Sequence, residues 1–144
     1  MKKYTYSILL YAIIAFFASA IAGDMDKRDN RISLNLTVLE KNEFLSEMRQ
    51  MLVSIQGIVS GIGEEDRELI IRYARSSGNR MARSTPKSIR EKLPQRFKII
   101  GGPTHMMFEE LAIRAETDDM DMITRQTGKL MKQCVSCHAI FKTD

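Results

Sequence analysis

The sequence predicts an all-α fold, an antiparallel four-helix bundle. Apolar residues recur at helical spacing in four stretches, and no stretch alternates apolar and polar residues as a half-buried β-strand would. The 144 residues are 44% hydrophobic and 28% charged, too apolar for a disordered chain and too short for two full domains. We therefore expect one helical domain with short links and one long crossover.

The N-terminus has the pattern of a secretory signal peptide. Two lysines precede the uncharged run 8–22, which ends in small residues. We expect residues 1–22 to be removed by cleavage after Ala22, which places the mature chain in the periplasm without a membrane anchor. An uncleaved anchor is the alternative, although a full span prefers roughly 20 apolar residues and this run is shorter. Residues 23–36 are then an N-terminal tether, and residues 37–144 form the helical domain.

The charge of the chain does not point to nucleic acid. The leader contains two lysines and no acid, so its removal lowers the formal net charge from +4 to about +2. No basic stretch is interleaved with aromatic residues, as nucleic-acid-binding surfaces often are. We expect no nucleic-acid partner.

Local signals predict the first two helices. Thr37 and Glu40 have the spacing of a capping box, and Gly61 and Gly63 are predicted to end the first helix. The second helix is predicted over residues 64–81, with acidic residues in its first turn. The apolar stripe of the first helix comprises Leu45, Met48, Leu52, Ile55, Val59 and Ile62.

Prolines and glycines interrupt the middle of the chain. We expect a short helical turn from Pro86 to Leu93, followed by a loop to Gly102. The third helix is predicted to start near Thr104, and the fourth at residues 117–119.

The fourth helix carries the most specific motif of the chain, Cys134-Val135-Ser136-Cys137-His138. Cys-x-x-Cys-His is the attachment sequence of a c-type haem. Two thiols three residues apart on a helix can add to the two vinyl groups along one side of the porphyrin. The following histidine can then offer a nitrogen to the iron. We expect Cys134 and Cys137 to hold one haem c and His138 to be the proximal iron ligand.

The motif is also compatible with three different kinds of site. A thiol–disulfide redox pair usually follows a strand in a βαβ setting, which this sequence lacks. A zinc site needs four ligands, and these would be Cys134, Cys137, His138 and His105. A plain disulfide gives His138 no role.

The signal peptide, the four helical stretches and the motif on the last helix together resemble the class II cytochromes c, the cytochrome c′ family. Leu93-Pro94 with Phe97 resembles the family's Leu-Pro-x-x-Phe, Pro103 resembles its helix-opening proline, and Arg49-Gln50 resembles a pair beside its haem. The resemblance covers the whole mature chain, but only the haem motif is specific. It implies a four-helix bundle, an electron-transfer function with a redox partner protein, and a possible homodimer through the first two helices.

The resemblance implies two kinds of iron site. Low-spin members of the family fill the sixth iron position with a methionine from the first helix, whereas cytochrome c′ proper leaves it open and binds small gases such as nitric oxide. We expect Met48 to be the sixth ligand, with Met51 next, although methionine is also a common core residue. An open sixth position, or ligation of the iron by Met106, Met107 or His105, is also compatible with the sequence.

Two further residues are candidates for contact with the haem. Arg49 is the candidate partner of a haem propionate, because a guanidinium suits carboxylate geometry, although an exposed surface arginine is an equal alternative. His105 is expected near the haem without ligating it. No acid–base or nucleophile constellation predicts an enzyme. We therefore expect an exported monohaem cytochrome that carries one electron, with an open-site gas-binding protein as the alternative.

Overall fold

The computed structural model describes residues 29–144. The chain divides into two compact units, residues 1–30 and residues 31–144. Of the first unit only residues 29 and 30 are described, and they form no helix or strand. The predicted signal peptide and its cleavage after Ala22 lie outside the described residues. No helix within residues 29–144 is long and apolar enough to cross a membrane.

Helices dominate the described residues, which confirms the all-α class. The elements in chain order are β1 (Ile32–Ser33), α1 (Val38–Gly63), α2 (Arg67–Ser76), α3 (Asn79–Ser84), α4 (Lys87–Lys92), α5 (Gln95–Arg114), α6 (Met120–Ile140) and β2 (Phe141–Lys142). Helix α1 packs against α2 and α6, and α5 packs against the same two helices.

The start of α1 follows the predicted capping box. The Thr37 backbone N–H donates to Glu40 Oε2 at 2.9 Å, and the Glu40 N–H donates to Thr37 Oγ1 at 3.4 Å. Lys92 Nζ donates to the same carboxylate at 2.6 Å, which ties α4 to the start of α1. The hydrogen bonds from Lys92 and Thr37 lower the pKa of Glu40 to about 2.

The end of α1 confirms the prediction that glycines stop this helix. The helix ends at Gly63, Glu64 is its C-cap, and Glu65 then adopts a left-handed φ of 54°. Gly61 also serves packing, because a Cβ atom there would lie 2.7 Å from Ile70 Cγ1 of α2. The absence of a side chain therefore allows the close approach of the two helices.

The helix predicted over residues 64–81 is two helices, α2 and α3. Asp66 caps α2 by accepting a hydrogen bond from the Leu69 N–H at 2.9 Å. The helix is interrupted at Ser77 and Gly78. At the start of α3, the Asn79 N–H donates to Glu109 Oε2 of α5 at 3.1 Å. A contact from a distant helix thus sets the break, which explains why local periodicity missed it.

The loop predicted over residues 94–102 is wrong, because these residues begin α5. Pro94 caps the helix, and Pro103, predicted to precede the third helix, lies inside it. Gly101 and Gly102 also lie inside α5, and each glycine in a helix costs about 1 kcal/mol relative to alanine. Burial of Phe97 and Thr104 against the rest of the domain offsets that cost. The short turn predicted from Pro86 to Leu93 is confirmed as α4.

Helix α6 begins where predicted, with the Asp119 carboxylate accepting from the Met122 N–H at 2.7 Å. After α6, β2 pairs in parallel with β1, with Ile32 beside Phe141. Leu34, in the segment expected as a tether, is 3% exposed. Residues 31–36 therefore belong to the same compact unit as the helices.

The apolar core has two clusters. One contains Ile58, Ile70, Phe108, Ile123 and Leu130, and is built from α1, α2, α5 and α6. The other joins α1, α4 and α5 with the segments just before α1 and just after α6, through Leu34, Phe44, Ile89, Leu93, Phe97 and Phe141. The rings of Phe44 and Phe141 each meet the ring of Phe97 edge-on, at centroid distances of 5.7 and 5.3 Å. Met48 packs against both clusters.

A buried hydroxyl pair joins α1 to the end of α2. Ser54 Oγ and Ser77 Oγ lie 2.8 Å apart, and both residues are fully buried. Each hydroxyl depends on the other for its hydrogen bond, because water does not reach them.

We expect Ser54→Ala to lower the free energy of unfolding by about 1–3 kcal/mol, because it leaves the Ser77 hydroxyl buried without a partner. Urea unfolding of Ser54→Ala, Ser77→Ala and the double variant measures the coupling. The double variant should lose clearly less than the sum of the single variants. Strict additivity would contradict a direct bond between the two hydroxyls.

Candidate functional site

A largely apolar cavity of about 400 Å³ lies between α1, α5 and α6, with α3 and α4 closing one side. Its apolar lining comes from every wall and includes Phe44, Met48, Met51, Leu52, Ile55, Ala82, Leu93, Phe97, Met131 and Val135. The volume lies within the range of about 300–1,000 Å³ that is typical of small-molecule and cofactor sites.

Helix α6 brings the Cys-x-x-Cys-His motif to this cavity. Cys134, Cys137 and His138 all line it, as their i, i+3, i+4 spacing on a helix requires. The two cysteines are free, and both are half-buried. His138 is exposed, and its ring has no hydrogen-bond partner among residues 29–144. The structure therefore unites the three residues of the motif on one wall.

Burial raises the pKa of both thiols above the ordinary value for cysteine. Repulsion by the neighbouring Cys134 thiolate adds to this effect at Cys137. Thiol–disulfide exchange depends on the thiolate, and catalytic cysteine pairs have lowered pKa values. The environment of Cys134 and Cys137 is therefore the opposite of what a redox pair needs.

The donors of the zinc alternative do not form a metal-binding group. His105 lines the same cavity as the motif. Within residues 29–144, however, no three His, Cys, Asp or Glu side chains are arranged closely enough to hold a metal ion directly.

Helix α1 contributes two of the four candidate methionine ligands to the cavity lining. Met48 and Met51 line the cavity, Met51 with 9% of its surface exposed and Met48 partly buried where the two core clusters meet. Met106 and Met107 do not line it, and Met106 is 55% exposed. The structure thus places the two methionines of α1 in the cavity wall and the two methionines of α5 outside it.

Arg49 is exposed and does not line the cavity. It follows Met48 directly, and one residue step turns a helix by about 100°, so the two side chains leave α1 in different directions. Two other cations line the cavity, Arg90 of α4 and Lys98 of α5. The sequence pattern did not indicate a role for these two residues, because their position at the cavity depends on how α4 and α5 pack against α1.

His105 lines the cavity from α5, as its expected position near the haem requires. Its Nδ1 lies 2.8 Å from the backbone oxygen of Ser77. A carbonyl oxygen only accepts, so Nδ1 carries a proton and donates it in this bond.

Among residues 29–144, Glu47 is the one carboxylate in the cavity lining. It is half-buried and accepts a hydrogen bond from Thr85 Oγ1 at 3.3 Å. Burial raises the pKa of Glu47 above its ordinary value of 4.5, and this outweighs the opposing effect of the Thr85 hydrogen bond.

We expect Glu47→Gln to stabilise the protein at pH 7. Because the folded pKa of Glu47 lies above its unfolded value, the folded state loses stability as the pH rises from about 4.5 through the folded pKa. The gain from Glu47→Gln should therefore shrink as the pH falls toward 4.5. Thermal unfolding between pH 4 and pH 8 measures this, with Glu68→Gln on the exposed surface of α2 as the matched control. Equal pH profiles for the two variants would contradict the effect of burial.

Comparisons of this chain with protein-family models, with curated proteins and with solved structures find no match.

Proposed function

We propose that this chain is an exported monohaem c-type cytochrome that carries one electron. The proposed fold is a four-helix bundle of α1, α2, α5 and α6, in which α1 and α5 each pack against both α2 and α6. The observation that carries the proposal is the position of Cys134, Cys137 and His138 together on one wall of an apolar cavity. Export rests on the sequence pattern of residues 1–22.

The residues of the cavity fit a haem. A porphyrin is a large, flat and mostly apolar ligand, and most of the lining is apolar. The donors also suit it, because thiols can form thioethers while imidazole and thioether groups are common ligands of haem iron. Residues that could attach a haem and residues that could ligate its iron therefore line the same cavity.

In this proposal Cys134 and Cys137 hold the haem through thioether bonds, and His138 offers a ring nitrogen to the iron. The haem, when bound, supplies an iron that accepts and releases one electron. Met48 is the proposed sixth ligand, with Met51 one helical turn further on. The apolar walls exclude water, and this burial together with the axial ligands sets the reduction potential.

The proposed redox partner docks at the mouth of the cavity. Three apolar residues that line it are strongly exposed: Leu52 at 69%, Met131 at 45% and Val135 at 68%. Val135 lies within the haem motif, so a partner bound here would be close to the cofactor. A homodimer through α1 and α2 remains part of the proposal on the basis of the resemblance.

We expect the chain, produced with haem-maturation machinery, to bind one haem that stays with the protein after denaturation and organic extraction. A redox titration should show one reversible one-electron transition. The Cys134→Ser, Cys137→Ser variant should lose its haem on extraction, whereas Ser136→Ala, between the two cysteines, should retain it. Haem that is freely extracted from the unmodified protein would contradict the proposal.

The sixth ligand is tested by the absorption spectrum. If Met48 ligates the iron, the oxidised protein should be low-spin with a weak far-red sulfur-to-iron charge-transfer band, and the reduced protein should bind carbon monoxide slowly. Met48→Ala should abolish the band, and Met51→Ala should leave it in place. A high-spin unmodified protein with rapid gas binding would reject ligation and favour the gas-binding function. Loss of the band only in Met51→Ala would move the ligand by one turn.

A further inference from the structure

The cavity has a cationic side as well as an apolar interior. Arg90 of α4 and Lys98 of α5 line it, and neither makes an ion pair within residues 29–144. Glu47, the only carboxylate that the described part of the chain contributes to the lining, accepts a hydrogen bond from Thr85. An apolar cavity with unpaired cations at its edge suits a ligand that has an apolar body and carboxylate groups.

The cavity-lining face of α5 is bare between two polar side chains. Lys98, Gly101, Gly102 and His105 follow one another at i, i+3, i+4 and i+7, so they share one face of the helix. A Cβ atom at Gly101 would lie 2.9 Å from the Phe97 ring, whereas one at Gly102 would meet nothing within 4 Å. The edge of a flat ligand can therefore approach the α5 backbone between Lys98 and His105.

A hydrogen bond to the backbone of Ser77 fixes the ring of His105. Its Nδ1–H donates to the carbonyl of Ser77, a fully buried residue whose hydroxyl is bonded to Ser54. No residue in the described part of the chain forms a hydrogen bond with Nε2. A carboxyl group that shares its proton with Nε2 can therefore bind there while Nδ1–H remains on the Ser77 carbonyl.

Resting on the proposed function, we propose that Arg90, Lys98 and His105 bind the two haem propionates, in place of Arg49. Cys134 and Cys137 of α6 would take the vinyl groups of the haem, so its carboxylates would need donors from other parts of the lining. Arg90 of α4 and Lys98 and His105 of α5 are such donors. A guanidinium can pair with a carboxylate through two parallel hydrogen bonds.

The experiment compares Arg90→Gln, Lys98→Gln with Arg49→Gln in the haem-loaded protein. The double variant should shift the propionate bending bands in the resonance Raman spectrum. It should also lower the midpoint potential, because lost positive charge near the iron favours the oxidised state. The pH at which the potential responds to propionate protonation should rise, since the carboxylates lose their cationic partners. Arg49→Gln should leave all three readouts unchanged.

His105→Asn tests the third donor separately. The asparagine amide is near the position of Nδ1 and can still donate to the Ser77 carbonyl, but it has no counterpart of Nε2. We expect a shifted propionate band with an unchanged thermal unfolding midpoint.

The covalent haem content separates the possible failures. Full haem content with Raman bands and a potential equal to those of Arg49→Gln would overturn the inference about propionates alone. Band shifts in Arg49→Gln but not in the double variant would restore Arg49 as the partner. A wild-type chain without covalent haem would overturn both this inference and the proposed function.

Discussion

The main physical constraint on this domain is an apolar cavity of about 400 Å³ between its helices, because apolar walls that are not packed against anything cost free energy. In a fully enclosed core, a cavity of this volume would cost on the order of 10 kcal/mol. That is comparable to the whole stability of a typical domain, about 5–15 kcal/mol. Partial opening to solvent reduces the cost, yet the walls remain apolar. An occupant that fills the space and brings its own apolar surface therefore accounts for the arrangement better than water does.

The two core clusters hold the helices that form the cavity walls. The cluster that contains Phe108 joins α1, α2, α5 and α6. The cluster that contains Phe97 joins α1, α4 and α5 with the segments just before α1 and just after α6, and includes three aromatic rings in contact. Met48 contacts both and also lines the cavity. The wall of α1 is thus supported from both sides, as a preorganised ligand site needs.

The structural features predicted correctly were those encoded locally. The capping box of Thr37 and Glu40 and the cap of α6 each depend on residues within one helical turn, so the sequence is sufficient to place them. The break at Gly78 and the helical state of residues 95–102 depend on distant partners. Glu109 stabilises the start of α3, and burial of Phe97 offsets two glycines and a proline within α5. The low helix propensity of glycine and proline favours a loop over residues 95–102, but tertiary packing makes these residues helical.

The residues of the candidate site also fall into those that local sequence predicts and those whose position depends on tertiary packing. Cys134, Cys137 and His138 form a contiguous motif whose helical spacing alone sets a common face, and the structure places that face on the cavity. Arg90 and Lys98 could not be found from the sequence, because their position depends on how α4 and α5 fold against α1. Arg49 shows the limit of such reasoning, since its nearness in sequence to Met48 does not place it in the cavity lining.

The proposed function depends above all on a covalent bond between haem and the two cysteines of α6. Peptide mass mapping after trypsin digestion measures this bond, because cleavage after Lys132 and Lys142 releases residues 133–142 with both cysteines. We expect this peptide, from protein produced with haem-maturation machinery, to be heavier by the mass of one haem. A peptide with two free thiols, or one lighter by two hydrogens through a Cys134–Cys137 disulfide, would contradict it.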